Sequence, residues 1–271
     1  MTSTIRLTDG TIALDDFGAG PPVLLLHGFP ATRSLWSCVA PALAGAGFRV
    51  LVPDLVGYGA SDAAAGVRVD MLSQARWLFE ALDILGLARV AIVAHDVGSA
   101  AAQLMVASAP HRVRALAVLD GVHGGEWAMA AVASIQAWDP ADAARLFPVL
   151  VRRLAKSGAL RETLTAYEGE QGGLRLIRAA RDLDPRQTEH IGQALRASGV
   201  PALVLWGQND AFLPLDTVAR PLAELLGATL VILPGGHFTP VDCPLEVANA
   251  LLAFFAQLPP EHDAERGSRK R

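Results

Sequence analysis

The chain has 271 residues, 52% of them hydrophobic, and a formal net charge of -4 at pH 7. A small negative charge, spread along the chain, argues against nucleic acid or an anionic membrane surface as a partner. The hydrophobic content is ample for a buried core, and we expect one large domain that carries an insertion and acts on a small-molecule substrate.

Targeting and cofactor signals are absent from the sequence. Cys38 and Cys243 are the only cysteines, and two such residues do not form a disulfide framework. The N-terminus has no apolar signal segment, and no stretch approaches the roughly 20 apolar residues that span a bilayer. We therefore expect a cytoplasmic protein that does not bind a membrane.

No cluster of His, Cys, Asp or Glu residues has metal-ligand spacing and no glycine loop has phosphate-binding form, so we expect neither metal nor cofactor. A monomer and a homodimer both remain open.

The first part of the chain predicts alternating strands and helices. In order, the predicted elements are a hairpin over 4–17 with Asp9-Gly10 at its turn, a strand over 23–26, a helix over 33–46, a strand over 48–52 and a helix over 70–85. Residues 27–30 follow the strand over 23–26, and their composition allows backbone N–H groups to point inward. Residues 53–62 form a glycine-punctuated loop.

The segment from Arg89 to Ser99 predicts a buried strand followed almost at once by a helix. The turn between them must be sharp, and the small residues Ala94 and Gly98 allow its strained backbone to pack closely. Such a turn lifts Asp96 above the edge of the sheet. An aspartate after a strand is more often a turn or capping residue, so a catalytic interpretation depends on this local context.

The remaining chain predicts further strands around a helical insertion. A strand over 113–120 ends at Asp120, whereas residues 122–196 show repeated helical spacing and no convincing strand. Strands over 201–206 and 229–233 are followed by Asp210 and His237. The predicted domains are a core of 1–121 and 197–260, a helical lid of 122–196 and a disordered tail of 261–271.

Several chemistry-bearing residues fall at the ends of predicted strands. The alternation of strands and helices predicts a mostly parallel sheet with helices on both faces. Ligands of such sheets bind beyond the carboxyl ends of the strands. Asp96, Asp120, Asp210, His237 and the loop 27–30 all lie at those ends, so we expect them to converge on one site.

Five motifs occur along the chain in a characteristic order: His27-Gly28-Phe29-Pro30, Gly57-Tyr58-Gly59-Ala60-Ser61, His95-Asp96-Val97-Gly98, Gly207 to Asp210, and Gly236-His237. Together they resemble the α/β-hydrolase superfamily, in its Asp-nucleophile branch of epoxide hydrolases and haloalkane and haloacid dehalogenases. The resemblance implies an α/β-hydrolase fold with a mostly parallel eight-stranded sheet and an inserted helical lid.

The same resemblance implies a two-step hydrolysis without a cofactor. Asp96 would form an alkyl-enzyme ester, and His237 would activate the water that hydrolyses it. The backbone N–H groups of Phe29 and Val97 would form the oxyanion hole. Asp210 is the expected acid that supports His237, and Asp120 remains the alternative. His27 and His95 belong to motifs that shape the backbone, and we expect them to be structural.

The substrate is less well indicated by the sequence. Haloalkane dehalogenases usually carry a tryptophan after the nucleophile and fluoroacetate dehalogenases often an arginine, whereas this chain has Val97. Epoxide hydrolases typically use two lid tyrosines, and this lid has Tyr167. We expect an epoxide substrate, with a haloalkane or haloacid as the alternative. A non-hydrolytic lyase or cyclase and a silent ligand-binding protein also remain open.

Four residues of the predicted lid are candidate substrate contacts. They are Tyr167, Trp127, Trp138 and His123. The aromatic residues are equally consistent with core packing, and a surface position is equally consistent for His123.

Overall fold

The computed structural model describes residues 2–125, 127–154 and 161–259. Nine strands in these residues form one sheet. They are β1 (Thr2–Leu7), β2 (Gly10–Phe17), β3 (Pro22–Leu26), β4 (Arg49–Pro53), β5 (Asp62–Ala63), β6 (Val90–His95), β7 (Val113–Leu119), β8 (Ala202–Gly207) and β9 (Thr229–Leu233).

Alpha-helices separate and follow these strands. They are α1 (Val39–Gly45), α2 (Met71–Ile84), α3 (Gly98–Ser108), α4 (Met129–Gln136), α5 (Pro140–Leu154), α6 (Arg161–Ala166), α7 (Gly169–Asp182), α8 (Arg186–Glu189), α9 (Gly192–Ala197), α10 (Arg220–Leu226), α11 (Thr239–Asp242) and α12 (Pro244–Ala256). Over the described ranges, none is long and apolar enough to cross a membrane.

Helices α4 to α9 all lie between β7 and β8 in chain order. This segment coincides with the predicted lid of 122–196, although the division of the chain into a core and a separate lid domain remains a prediction. The predicted tail of 261–271 lies outside the described residues.

The sheet has the order β1-β2-β4-β3-β6-β7-β8-β9. All neighbouring pairs from β4 to β9 along this order are parallel, whereas β2 pairs antiparallel with β1 and β4. The predicted eight strands are present, and the two-residue strand β5 adds a ninth by pairing with β2. Two residues are too few to show a strand periodicity in the sequence.

The strand order brings the predicted site residues to one edge. β3, β6, β7, β8 and β9 are successive neighbours, and their carboxyl ends point the same way. The loop after β3 therefore lies beside the end of β6, because Leu26 pairs with Ala94 in the parallel register. The segments after β7, β8 and β9 follow along the same edge, as expected for ligand sites in such sheets.

The turn between β6 and α3 has the predicted tight geometry. Asp96 has a positive φ of 49°, a conformation that costs a residue with a side chain more than it costs glycine. Two residues later, Gly98 packs so closely against the loop after β3 that an added Cβ would overlap the carbonyl oxygen of His27. Glycine at this position allows α3 to start directly against β3.

We predict that Gly98→Ala lowers the free energy of unfolding by about 1–3 kcal/mol, because the new methyl group forces the backbone to shift. Gly45→Ala in α1 is the matched control, since no heavy atom lies within 4 Å of its added Cβ. Alanine in a helix is more stable than glycine by about 0.5–1 kcal/mol, so this variant should not lose stability. Urea unfolding followed by circular dichroism measures both changes. An equal effect at the two positions would contradict the packing argument.

Candidate active site

Asp96 is buried at the apex of the turn, and its two carboxylate oxygens have different surroundings. Oδ2 accepts a hydrogen bond of 2.9 Å from the backbone N–H of Phe29. The N–H of Val97 also donates to this carboxylate. Oδ1 lies 3.8 Å from Nε2 of His237. Burial raises the pKa of Asp96, and the charge of His237 and the two backbone N–H groups offset this only in part.

The loop after β3 is shaped so that the Phe29 N–H reaches the carboxylate. A Cβ added to Gly28 would overlap the side chain of Asp96. His27 holds the loop from the other side, because its Nε2 accepts from the N–H of Leu55 at 2.9 Å and its Nδ1 donates to the carbonyl oxygen of Gly28 at 2.9 Å. This side chain is therefore occupied with backbone groups and is not available to a substrate.

His237 is oriented by Asp210. Nδ1 of His237 lies 2.9 Å from Oδ2 of Asp210. The other oxygen of Asp210 accepts from the N–H groups of Phe212 at 2.8 Å and Leu213 at 3.0 Å, which fixes the carboxylate. An ionised carboxylate only accepts, so Nδ1 of His237 carries a proton and Nε2 is directed toward Asp96.

The charges around His237 set its protonation. Burial acts to lower the pKa of His237, but the hydrogen bond and charge of Asp210, together with the charge of Asp96, raise it to about 9. For Asp210, burial acts to raise the pKa, but the hydrogen bond and charge of His237 and the N–H groups of Leu213 and Phe212 together lower it. The two groups thus stabilise each other as an imidazolium–carboxylate pair.

Asp120, the alternative acid, binds other groups. Its Oδ1 accepts from the N–H of Gly207 at 2.7 Å, and its Oδ2 accepts from the hydroxyl group of Thr239. The side chain is fully buried, and burial raises the pKa of Asp120 to about 8 despite these bonds and the charge of His237. Asp120 therefore joins β8 to the start of α11, whereas Asp210 holds the imidazole.

A cavity of about 210 Å³ opens next to Asp96 and His237. Among the described residues, these two are its only ionisable lining side chains, and its walls are otherwise mainly apolar and aromatic. The lining residues are Phe29, Pro30, Asp96, Val97, Trp127, Ala128, Val132, Ser134, Ile135, Trp138, Phe212, His237 and Phe238. The site therefore suits a small, uncharged molecule more than an ion.

Two of the four predicted substrate contacts lie at this cavity and two do not. Trp127 and Trp138 line it, although the indole N–H of Trp127 donates to the hydroxyl oxygen of Thr188 at 3.1 Å. Tyr167 and His123 are not part of the lining, so the predicted contact of these two residues with the substrate does not agree with their positions.

Packing explains where these two side chains lie. The ring of Tyr167 is fully buried against Phe147 of α5, with ring centroids 4.9 Å apart. Its hydroxyl group has no hydrogen-bond partner within the described part of the chain. His123 directs Nδ1 to the side-chain oxygen of Gln103 at 2.7 Å.

Six of the thirteen described lining residues were not predicted from the sequence. Phe212 follows Asp210 by two residues and Phe238 follows His237 directly, so chain proximity to predicted site residues could have identified both. Val132, Ser134 and Ile135 come from α4. Nothing in their sequence distinguishes them from other residues of a helical insertion.

Comparison with known proteins relates this arrangement to a family. Residues 21–166 match the family model described as the alpha/beta hydrolase fold. A haloalkane dehalogenase 2 of Mycobacterium tuberculosis is 29% identical over 270 residues, which are 91% of this chain and 92% of that protein. A 2-hydroxy-6-oxononadienedioate/2-hydroxy-6-oxononatrienedioate hydrolase of Paraburkholderia phymatum is 31% identical and covers 92% of each chain.

A solved structure supports the same fold. An alpha/beta hydrolase fold protein from Burkholderia ambifaria aligns with a TM-score of 0.81 at 23% identity, over 93% of this chain and 97% of that one. The fold expected from the five sequence motifs is thereby confirmed. Because the family model matches more than half of the chain, this protein belongs to the α/β-hydrolase family of enzymes.

Proposed function

We propose that this enzyme hydrolyses a small, uncharged electrophile at an sp3 carbon, with Asp96 as the nucleophile. The observation that carries the proposal is the pair of different environments at the Asp96 carboxylate, with Oδ2 on the backbone N–H of Phe29 and Oδ1 beside His237. In the first step, Oδ1 attacks the carbon and the leaving group departs with the bonding electron pair. The product is an alkyl ester of Asp96.

In the second step, His237 removes a proton from a water molecule that attacks Cγ of the ester. Negative charge then develops on Oδ2, where the N–H groups of Phe29 and Val97 stabilise it by about 3 to 4 kcal/mol per donor. The tetrahedral intermediate collapses by breaking the bond to the alkyl oxygen. That oxygen takes the proton from His237 and leaves as an alcohol, and Asp96 is left as a carboxylic acid that holds one oxygen from water. Its remaining proton passes to the neutral His237, which restores the carboxylate and the imidazolium.

Formation of the ester prepares His237 for this role. The negative charge of Asp96 is one of the causes that raise the pKa of His237 to about 9. Alkylation removes that charge, and the pKa of His237 must fall. Alkylation therefore increases the fraction of neutral imidazole that can act as a base in the second step.

The proton donors that line the cavity indicate which class of leaving group the enzyme favours. A departing alkoxide needs a proton, but no tyrosine lines the cavity, and Tyr167, on which the sequence preference for epoxides depended, lies elsewhere. A halide leaves as a stable anion and needs only weak donors, and we propose that the indole of the lining residue Trp138 supplies one. We therefore rank uncharged alkyl halides first. A haloacid is disfavoured, because its carboxylate would lose hydration in a cavity whose described lining contains no lysine or arginine.

Epoxides are the second candidate, and the protonation of His237 favours them. With the pKa of His237 raised to about 9, the free enzyme holds an imidazolium near Oδ1 of Asp96 at neutral pH. This imidazolium can give a proton to the opening epoxide oxygen and then act as the base for water. Ester formation from an epoxide would slow as pH rises through the pKa of His237, whereas halide displacement would not.

The first prediction tests the covalent step. His237→Gln should form the alkyl ester and accumulate it, because only the second step needs a base, whereas Asp96→Asn should form none. Intact-protein mass spectrometry after addition of alkyl bromides or epoxides measures the added mass. Turnover by the wild-type enzyme without an adduct in His237→Gln would favour a lyase or cyclase. Binding without any turnover would favour a silent binding protein.

The second prediction separates the two carboxylates near His237. Asp210→Asn should lower the pKa of His237 and reduce ester hydrolysis by about 10⁴-fold, because an amide supports the wrong tautomer and cannot offset the imidazolium charge. Asp120→Asn should have a smaller effect, since its amide oxygen can still accept from the Gly207 N–H. NMR titration of the imidazole and single-turnover rates measure both quantities. The reverse order would assign the supporting role to Asp120.

The third prediction compares leaving groups on one carbon skeleton. We expect 1-bromobutane to alkylate Asp96 faster than 1,2-epoxybutane, and Trp138→Phe to slow bromide release. Tyr167→Phe is the control, since that ring lies outside the cavity wall and should leave both rates unchanged. Bromide release and diol formation are measured in single turnovers. Faster epoxide turnover that depends on Tyr167 would restore the ranking that the sequence suggested.

A further inference from the structure

His95 is the last residue of β6 and immediately precedes Asp96. Its side chain is fully buried, and its Nε2 lies 2.7 Å from the backbone carbonyl oxygen of His237. A carbonyl oxygen only accepts, so Nε2 of His95 carries the proton and donates it. Nδ1 is also buried and has no partner in the described part of the chain. Within the described part of the chain, the hydrogen bond of this side chain is therefore to the backbone of His237, the proposed general base.

The surroundings keep His95 neutral. Its ring centroid lies 5.0 Å from that of His237 and 5.6 Å from that of Phe238, on which it stacks. Burial and the charge of His237 lower the pKa of His95 to about 3, against the raising effects of its bond to the His237 carbonyl and of Asp210. The nearby His27 also acts to lower it. Because Nε2 is bonded to a backbone carbonyl and the side chain does not line the cavity, His95 does not reach the reacting atoms and its contribution is geometric.

We propose that His95 is a positioning residue that holds His237 at its working distance from Asp96. This inference rests on the function proposed above, because it assigns His95 to the second step of that reaction. The nucleophile follows β6 and the base follows β9, and β7 and β8 lie between these two strands. The bond from His95 to the His237 carbonyl crosses that separation directly. It links the residue next to the nucleophile with the backbone of the base.

Other contacts hold the loop around His237 without fixing this residue itself. The N–H of Gly236 donates to Oδ2 of Asp242 at 2.8 Å, and the hydroxyl group of Thr239 donates to Asp120. These bonds keep the loop near its place when the His95 bond is lost. Removal of that bond should therefore misplace the imidazole without unfolding the loop.

The proposed role predicts which step is affected. Attack by Oδ1 needs only the ionised Asp96, whereas attack by water needs Nε2 of His237 in a defined position. Loss of the His95 donor should slow ester hydrolysis and leave ester formation nearly unchanged. It should also lower the pKa of His237, because the misplaced ring loses part of its hydrogen bond to Asp210.

The test compares His95→Gln with His95→Asn. The glutamine amide nitrogen reaches about as far as Nε2 of histidine and can replace the donor, whereas the asparagine side chain is one methylene shorter. Both variants put a neutral amide into the same buried site, so they differ mainly in reach. In single turnovers with 1-bromobutane, we expect hydrolysis of the ester to be about 10- to 100-fold slower in His95→Asn than in His95→Gln. Ester formation should be similar in both, so the ester accumulates in His95→Asn.

NMR titration of His237 provides a readout that needs no substrate. We expect a lower pKa of His237 in His95→Asn and a wild-type value in His95→Gln. Equal rates of ester hydrolysis and equal titrations of His237 in wild type and His95→Asn would overturn the proposal. The same would follow if ester formation and ester hydrolysis slowed by equal factors in both His95→Asn and His95→Gln. If His95→Asn does not fold, His95→Phe serves in its place, since it keeps a ring against Phe238 and lacks the donor.

The same design separates this inference from the proposed function. Absence of an ester on Asp96 in every variant, including His237→Gln, would remove the two-step mechanism. The titrations of His237 would still test the positioning role of His95. A lower pKa of His237 in His95→Asn but not in His95→Gln supports this role, and identical titrations of the two variants and wild type reject it.

Discussion

The left-handed backbone at Asp96 is the constraint on which the site depends. A residue with a side chain in this conformation costs about 1–3 kcal/mol unless the surroundings compensate it. Glycines at 28 and 98 provide the space for the turn, and the N–H of Phe29 binds the carboxylate that the turn presents. Asp120 repeats the conformation on the neighbouring strand, with φ of 44°. Aspartate suits both positions because it visits the left-handed region more readily than most residues.

Asp120 and Asp210 have different chemical properties because their partners differ. Burial raises the pKa of Asp120 to about 8, so most of this group is protonated near pH 7. The pKa of Asp210 is lowered, and its charge faces His237. The negative charges that raise the pKa of His237 at pH 7 are therefore mainly those of Asp210 and Asp96. Only Asp96 loses its charge during the proposed reaction, and so one covalent event shifts His237 toward its neutral form.

The sequence was a good guide to the sheet edge and a poor one to the insertion. Asp96, Asp210 and His237 were predicted to meet because each follows a strand, and parallel strands bring their carboxyl ends to one edge. For Tyr167, periodicity indicated helices on either side but not how those helices pack, and the ring is buried against Phe147 instead of facing the cavity. The hairpin shows the same limit on a smaller scale, because Leu7 pairs with Gly10 and the turn is Thr8-Asp9.

The sheet edge is easier to predict from the sequence than the helical insertion for a physical reason that also affects substrate specificity. Nucleophile, base and backbone donors all belong to the sheet edge, where hydrogen bonds of defined length hold each group. The wall from Trp127 to Trp138 belongs to α4 and its flanks, and it is built mainly from apolar contacts, which many side chains of similar volume can satisfy. Val97 has no polar side-chain group, so the proposed halide stabilisation moves from the nucleophile turn to this wall. Changes in α4 can therefore alter the accepted leaving group while the catalytic groups keep their positions.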